Sequence, residues 1–406
     1  MRQVYLDHQS ATPVLPEVLE AMRPFFAETF GNPSSLHQQG VRAREAMATA
    51  RAQIAAFIRA ESPDDIIFTS DGTESANLAV MGTAYANQRR GNHIVLSQTE
   101  HPAVIHSVEF LEKQGLTSTR VKVDRQGFID PSDVRAAITD KTALVAVHLV
   151  NHDIGTIEPI REIGEVAARE GIAFFVDAEA GAGWLPIDVQ ELGTSLLSFS
   201  PHRFYGPKGV GVLYRNRRAR LTSLLHGGAQ ENGWRAGVEN VPAIVGAGVA
   251  AEIALREGAG WSAHCQGLQE RLWKGLQSQI PCIQLNGPGP GSNRVANNLN
   301  ISTEFTDGES QVLLCDMQGI AVAGPTNCAS KSLKISHVLS AIGLPHALAQ
   351  SAIIMSPGKH NTLEDIDYVI ETFAKIAGKL RRMSPTWDEF EKGTVASAVR
   401  TLEQKP

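Results

Sequence analysis

The chain has 406 residues, 43% of them hydrophobic and 20% charged, with a net charge of -6. This is ordinary for a globular protein with one large and one smaller domain. There is no general basic field, so nucleic acid is not an expected partner. No apolar run nears the roughly 20 residues that a helical membrane span needs, so no membrane partner is expected either.

The first residues, Met1-Arg2-Gln3-Val4-Tyr5-Leu6-Asp7, are expected to enter structure at once, and no secretory signal is expected. An amphipathic stretch over 38–60 predicts a helix. Strands are predicted at Ile66–Thr69, Ile94–Ser97, Leu144–His148, Ala173–Val176, Leu196–Phe199 and Val210–Tyr214. Most are near-continuously apolar, as strands covered on both faces of a sheet should be. A second amphipathic stretch, 158–170, lies among them. Alternating β and α predicts a mostly parallel sheet with helices on both faces.

Past residue 255 the texture changes. A helix from Trp261 leads to the turn-rich run Asn286-Gly287-Pro288-Gly289-Pro290-Gly291, a strand at Asn298–Ile301 and a helix from Ser310. Asn361-Thr362-Leu363-Glu364-Asp365 reads as a capped helix start. Lys379, Arg381 and Arg382 are expected at a solvated helix end. The class is therefore α/β: a large domain over 12–255 with a mostly parallel sheet, and a smaller α+β domain formed by 1–11 with 256–406. The four cysteines, Cys265, Cys282, Cys315 and Cys328, form no C-x-x-C pair. A disulfide framework is not expected, and a reducing cytoplasm is. Cys265, Cys282 and Cys315 lie in or beside apolar stretches and are expected to pack. Cys328 lies among small polar residues and is the candidate accessible thiol.

In open α/β sheets ligands bind beyond the C-terminal strand ends. Those ends carry Ser70-Asp71-Gly72-Thr73, Thr99-Glu100-His101, Asn151-His152-Asp153 and Asp177. A helix starting near Thr73 would offer free N–H groups to an anion. His101 has the ordinary pKa range for moving protons near neutral pH.

Several long motifs carry a resemblance: Phe30-Gly31-Asn32-Pro33-Ser34-Ser35, Thr73-Glu74-Ser75, Thr99-Glu100-His101, Phe175-Val176-Asp177-Ala178, and Ser200-Pro201-His202-Arg203 before Gly206-Pro207-Lys208-Gly209. From Tyr5-Leu6-Asp7 through Ser384-Pro385 the chain resembles the cysteine desulfurases, class V aminotransferases with a fold-type I PLP-transferase-like architecture that use pyridoxal phosphate (PLP). The resemblance implies that Thr73, Ser200 and His202 contact the cofactor's phosphate, that Asp177 pairs with its ring nitrogen and that His101 stacks on the ring. It implies a homodimer, with His226-Gly227-Gly228 and Trp234-Arg235-Ala236-Gly237 reaching the partner's site. It makes Cys328 the loop thiolate that receives sulfur as a persulfide. The stretch Leu380–Trp387 would help dock an iron–sulfur scaffold or sulfur-acceptor protein.

The chain departs from that pattern where the chemistry sits. Arg203 stands where the resemblance implies the lysine that binds the cofactor covalently. A guanidinium stays protonated at ordinary pH and is no substitute nucleophile. Ile354 stands in place of an arginine that clamps the substrate carboxylate, and it cannot form a bidentate ion pair. His152, Ala180, Asp71 and Val238 replace further cofactor-contacting residues, and Pro201 stiffens the turn. Lys208 matches a lysine the family also has, so it is expected to be structural. Arg203 is expected to fold into the emptied pocket and pair with Asp177.

These departures predict a homologue with PLP absent or only non-covalently bound, and without PLP-dependent desulfuration. Its expected role is sulfur relay or iron–sulfur cluster assembly through Cys328. That thiolate would carry a persulfide or act as a metal ligand to a cluster shared with a partner. The alternatives are an enzyme using non-covalent PLP held by Thr73, His202 and Asp177, and an inactive structural subunit of a desulfurase complex.

Overall fold

The computed structural model describes residues 2–324 and 335–403. Its strands are β1 (Val4–Tyr5), β2 (Ile66–Thr69), β3 (His93–Ser97), β4 (Thr117–Val121), β5 (Thr142–His148), β6 (Ala173–Asp177), β7 (Leu196–Phe199), β8 (Gly211–Arg215), β9 (Ile283–Leu285), β10 (Leu299–Thr303), β11 (Ile320–Ala321) and β12 (Ala352–Met355). Seven of them form one sheet in the order β2-β8-β7-β6-β5-β3-β4. From β7 to β4 every pairing is parallel, and β8 runs antiparallel to both its neighbours. The expected mostly parallel sheet is thus present. Every residue of β5 is buried, which is why Ala143–Val147 run apolar without alternating. The edge strand β4 reads Thr-Ser-Thr-Arg-Val and is largely open to solvent, so it carried no apolar signal.

The sheet register fixes the site. His148 lies opposite Asp177, and Asp177 opposite Ser198, so the C-terminal ends of β5, β6 and β7 stand in line. The chain leaving β7 turns at once into a 3-10 turn, Pro201–Arg203. On the far side of β8, β2 leads into the helix Gly72–Ala86, capped by the Asp71 carboxylate on the Glu74 N–H.

A second core gathers around the antiparallel sheet β12-β10-β9. The first strand joins it through parallel pairing of β1 with β11, and Val4 and Leu6 are buried there. The two cores share one long helix, Val241–Gln279. Its Ala247, Ala250 and Ala251 pack in the large core, whereas Leu268, Leu272 and Leu276 pack in the small one. Residue 255 therefore falls within a helix. The helix expected from Trp261 begins twenty residues earlier because its first half is rich in glycine and alanine. Gly248 meets the Ala50 backbone of the helix Gln38–Phe57, where a Cβ would lie 2.6 Å from the Ala50 Cα. Close helix contact thus accounts for the glycines, which are poor helix formers on their own.

The expected capped start at Thr362 is a full capping box. The Thr362 hydroxyl accepts from the Asp365 N–H, and the Asp365 carboxylate accepts from the Thr362 N–H. The expected solvated helix end needs correction. Arg381 is buried, donates to the carbonyls of Glu304 and Pro281, and lies over the Trp387 ring. Its guanidinium satisfies carbonyls that the turn around Cys282 leaves unpaired by the sheet. Among the described residues, no helix is long and apolar enough to cross a membrane.

Candidate functional site

Asp177 ends β6 and is buried. Its Oδ1 accepts the Glu179 N–H at 2.9 Å. Burial pushes the Asp177 carboxyl up to about 7, and the negative charges of Glu179 and Glu100 add to this.

The Arg203 side chain is largely buried, but its partner is not the expected Asp177. Its Nε lies 3.5 Å from Glu179 Oε1, with both side chains largely buried. The Asp177 carboxylate is engaged by the Glu179 backbone, and the Glu179 carboxylate meets the guanidinium in its place. At 3.5 Å this is an ion pair rather than a hydrogen bond. Arg203 Nε and Glu179 Oε2 are buried without a hydrogen-bond partner. Burial raises the pKa of Glu179, and Arg203 draws it back.

The same carboxylate lies against the start of the helix Gly72–Ala86. A Cβ on Gly72 would sit 2.3 Å from Glu179 Oε2 and 2.9 Å from Ser200 Oγ, so only glycine leaves room for both. The Gly72 N–H already donates to Ser200 Oγ at 2.7 Å. The Glu74 N–H goes to Asp71 Oδ1 and the Ser75 N–H to the Asp71 carbonyl. Thr73 stands exposed in the first turn. His202 Nε2 is 3.9 Å from Glu179 Oε1. Burial and then Arg203 push His202 down to about 4, so its ring is neutral at pH 7. The turn is locked from the other side: Tyr205, at φ 67°, donates its N–H to Thr12 Oγ1 and accepts the Lys359 N–H at its hydroxyl. Lys208 is exposed beyond this turn.

Three histidines line the neighbouring wall. His101 caps the helix Pro102–Glu112, its Nδ1 accepting from the Ala103 N–H. His152 meets it edge-on with ring centres 5.1 Å apart, and His337 lies 6.0 Å beyond His152. Burial, then Arg203, pushes His101 down to about 3; burial, then His101, drives His152 well below the usual range. Neutral rings are the cheap form in a buried wall beside a guanidinium. Among the described residues, no group of His, Cys, Asp and Glu has metal-binding geometry.

Beneath this wall lies a feature the sequence reading did not assemble. His148 Nδ1 is 2.9 Å from Glu100 Oε1, and His148 Nε2 is 3.4 Å from Glu158 Oε1, all three side chains being buried. Burial alone would push the imidazole down, but the two carboxylates outweigh it and raise it to about 10. The available signal was a histidine closing the apolar run of β5. Glu179 had a similar signal, as one acid within Ala178-Glu179-Ala180-Gly181-Ala182.

Ile354 is buried in β12 and exchanges both backbone hydrogen bonds with Ala323. It presents no cation. Ala180 is buried and Val238 exposed. Arg235, in the segment expected to reach a partner, pairs with Glu74 of its own chain at 2.9 Å. Cys265, Cys282 and Cys315 are buried, and burial pushes Cys265 and Cys315 up to about 12. Cys328 lies outside the described residues.

Residues 4–369 match the aminotransferase class-V family. The chain is 45% identical over 391 residues to cysteine desulfurase IscS of Clostridium botulinum, covering 96% of this chain and 98% of that one. It is 45% identical over 384 residues to cysteine desulfurase IscS of Methanosarcina thermophila, covering 95% and 94%. A solved NifS-like protein superposes with a TM-score of 0.87 at 32% identity, covering 93% of this chain and all of the other.

Proposed function

The chain belongs to the cysteine desulfurases of the class-V aminotransferase family, a PLP-dependent family, and we propose that it has given up PLP-dependent desulfuration while keeping a role in sulfur relay or iron–sulfur cluster assembly. The observation that carries this reading is the Arg203–Glu179 pair. It replaces a lysine amine by a guanidinium and places a carboxylate at the helix start where the cofactor's phosphate belongs. A phosphate dianion there would face Glu179 and Asp71, with the Gly72 N–H already committed to Ser200. Asp177, Ser200 and His202 are retained, but this donor set does not fit the group. The loss of a cation at Ile354 removes the means to hold an amino-acid carboxylate.

The chemistry left to the chain is that of a thiol. Burial disfavours the thiolate at Cys265 and Cys315 and encloses Cys282, which leaves Cys328 as the functional cysteine. Its thiolate attacks the outer sulfur of a donor persulfide. The donor's S–S bond breaks, the donor leaves as a thiolate, and the new S–S bond sits on Cys328. The sulfur arrives already oxidised, so no further oxidant is consumed. In cluster assembly the same thiolate serves as one ligand, and a scaffold or sulfur-acceptor partner supplies the rest, since clusters take about four protein ligands. The working form is a homodimer in a reducing cytoplasm.

The test is an absorption spectrum of the protein purified anaerobically, then again after added PLP and desalting. The reading expects no retained PLP band. A retained band would revive the enzyme that uses non-covalent PLP. Cys328→Ser is expected to abolish sulfur transfer to an acceptor. Unchanged transfer would leave only a structural subunit.

A further inference from the structure

Glu179 presents an unusual arrangement for a largely buried acid. One oxygen faces the Arg203 guanidinium at 3.5 Å. The other is buried, lacks a hydrogen-bond partner, and is held so close to Gly72 that a methyl group there would overlap it. The start of the helix Gly72–Ala86 and Ser200 stand beside this oxygen, and Arg203 and His202 stand beside the other. A helix start and a hydroxyl on one side of a carboxylate and a guanidinium on the other form a cradle for an anion. A carboxylate leaves such a cradle only partly satisfied, because it brings two oxygens where a tetrahedral anion brings three or four.

We propose that Glu179 is a built-in anion, a carboxylate held in a phosphate cradle that keeps phosphate-bearing ligands out. It supplies the negative charge that Arg203 and the helix start require, so the fold keeps its electrostatic balance with no ligand bound. Steric filling and charge act together. The carboxylate occupies the space, and a dianion entering beside it would meet a like charge in a poorly solvated site. Removing Glu179 should therefore reopen a phosphate site rather than merely leave a hole.

This inference rests on the reading that the pocket no longer serves PLP, yet its test involves neither Cys328 nor sulfur. Thermal unfolding of the full-length protein is followed against inorganic phosphate, with sodium chloride at matched ionic strength, for wild type, Glu179→Ala, and Glu179→Ala with Arg203→Ala. Wild type should show no phosphate-specific stabilisation. Glu179→Ala should gain a saturable one, with affinity tighter than wild type by roughly tenfold or more, about what one charge-assisted contact contributes. The double variant should lose that gain. Should Glu179→Ala not fold without phosphate, its refolding yield is read against phosphate: recovery supports the proposal, and no recovery overturns it. Equal phosphate binding by wild type and variant, or a folded Glu179→Ala that ignores phosphate, also overturns it. Failure of Cys328→Ser to alter sulfur transfer would defeat the functional reading alone.

Discussion

His148 Nδ1 lies 2.9 Å from Glu100 Oε1, at the end of a strand otherwise built from apolar residues and threonine. Glu100 Oε1 also takes the His148 backbone N–H at 2.9 Å. With Glu158 Oε1 3.4 Å from the other ring nitrogen, the imidazole has a carboxylate on each side and is held as a cation. Buried ions of this kind add little net stability when complete but cost much when broken. His148→Met leaves two glutamates in the core without their counter-ion. It should destabilise the protein by about 3–5 kcal/mol, read as a lowered urea midpoint. Adding Glu158→Gln to His148→Met should recover part of that loss, because one uncompensated charge then remains instead of two. Strict additivity of the two changes would show that the groups are not coupled.

The same triad sets an alkaline limb for stability. The folded-state pKa of His148 is raised to about 10 from an ordinary 6.5. Its contribution is therefore fully present below about pH 6.5 and is lost as pH rises through 10. Asp177 and Asp153, both pushed up to about 7 chiefly by burial, have shed most of their own contribution by pH 7.5. Between pH 7.5 and 9 the fall in unfolding temperature should come mainly from His148. The slope should flatten in His148→Met with Glu158→Gln, and a slope equal to that of wild type would remove His148 as its cause.

Most of the fold was legible because buried strands announce themselves as apolar runs. β2 and β7 begin and end where the sequence reading placed them. The polar edge strand β4 and the small-residue half of the helix Val241–Gln279 were not legible, since one needs no apolar face and the other depends on contact with a second helix. The site followed the same division. Asp177 was singled out as a polar residue at a strand end, and Ser200, His202 and Arg203 through the motif that carries the family resemblance. The partner of Arg203 was not, because Asp177 and Glu179 differ by two positions and only packing decides which carboxylate reaches the guanidinium. His148 and Glu158 meet across the loop and turn of residues 149–157, a closure that no spacing rule signals.

Restoring the lysine alone should not restore the cofactor. In Arg203→Lys the Glu179 carboxylate still lies against Gly72 and Ser200, and the new amine gains a buried counter-ion that keeps it protonated. Arg203→Lys with Glu179→Ala removes both obstacles. After incubation with PLP and desalting, the double change should hold a PLP absorption band and the single change should not. A band of equal size in Arg203→Lys would mean that Glu179 does not obstruct the cradle.

Thiol accessibility separates Cys328 from the other cysteines without any assay of sulfur transfer. Cys265 and Cys315 are buried, with thiols pushed up to about 12, and Cys282 is buried beside Leu348 and Val399. Cys265 and Cys315 therefore present almost no thiolate at neutral pH, and all three thiols present little surface to a reagent. Alkylation of the native protein with iodoacetamide at pH 7.5 should therefore add one label per chain, at Cys328, whereas the urea-unfolded chain, with its four cysteines, should take four. Cys328→Ser should remove the native label and leave the unfolded count lower by one. Prompt native labelling at Cys265 or Cys315 would contradict the burial that withholds them from sulfur chemistry, and would reopen the choice of functional cysteine.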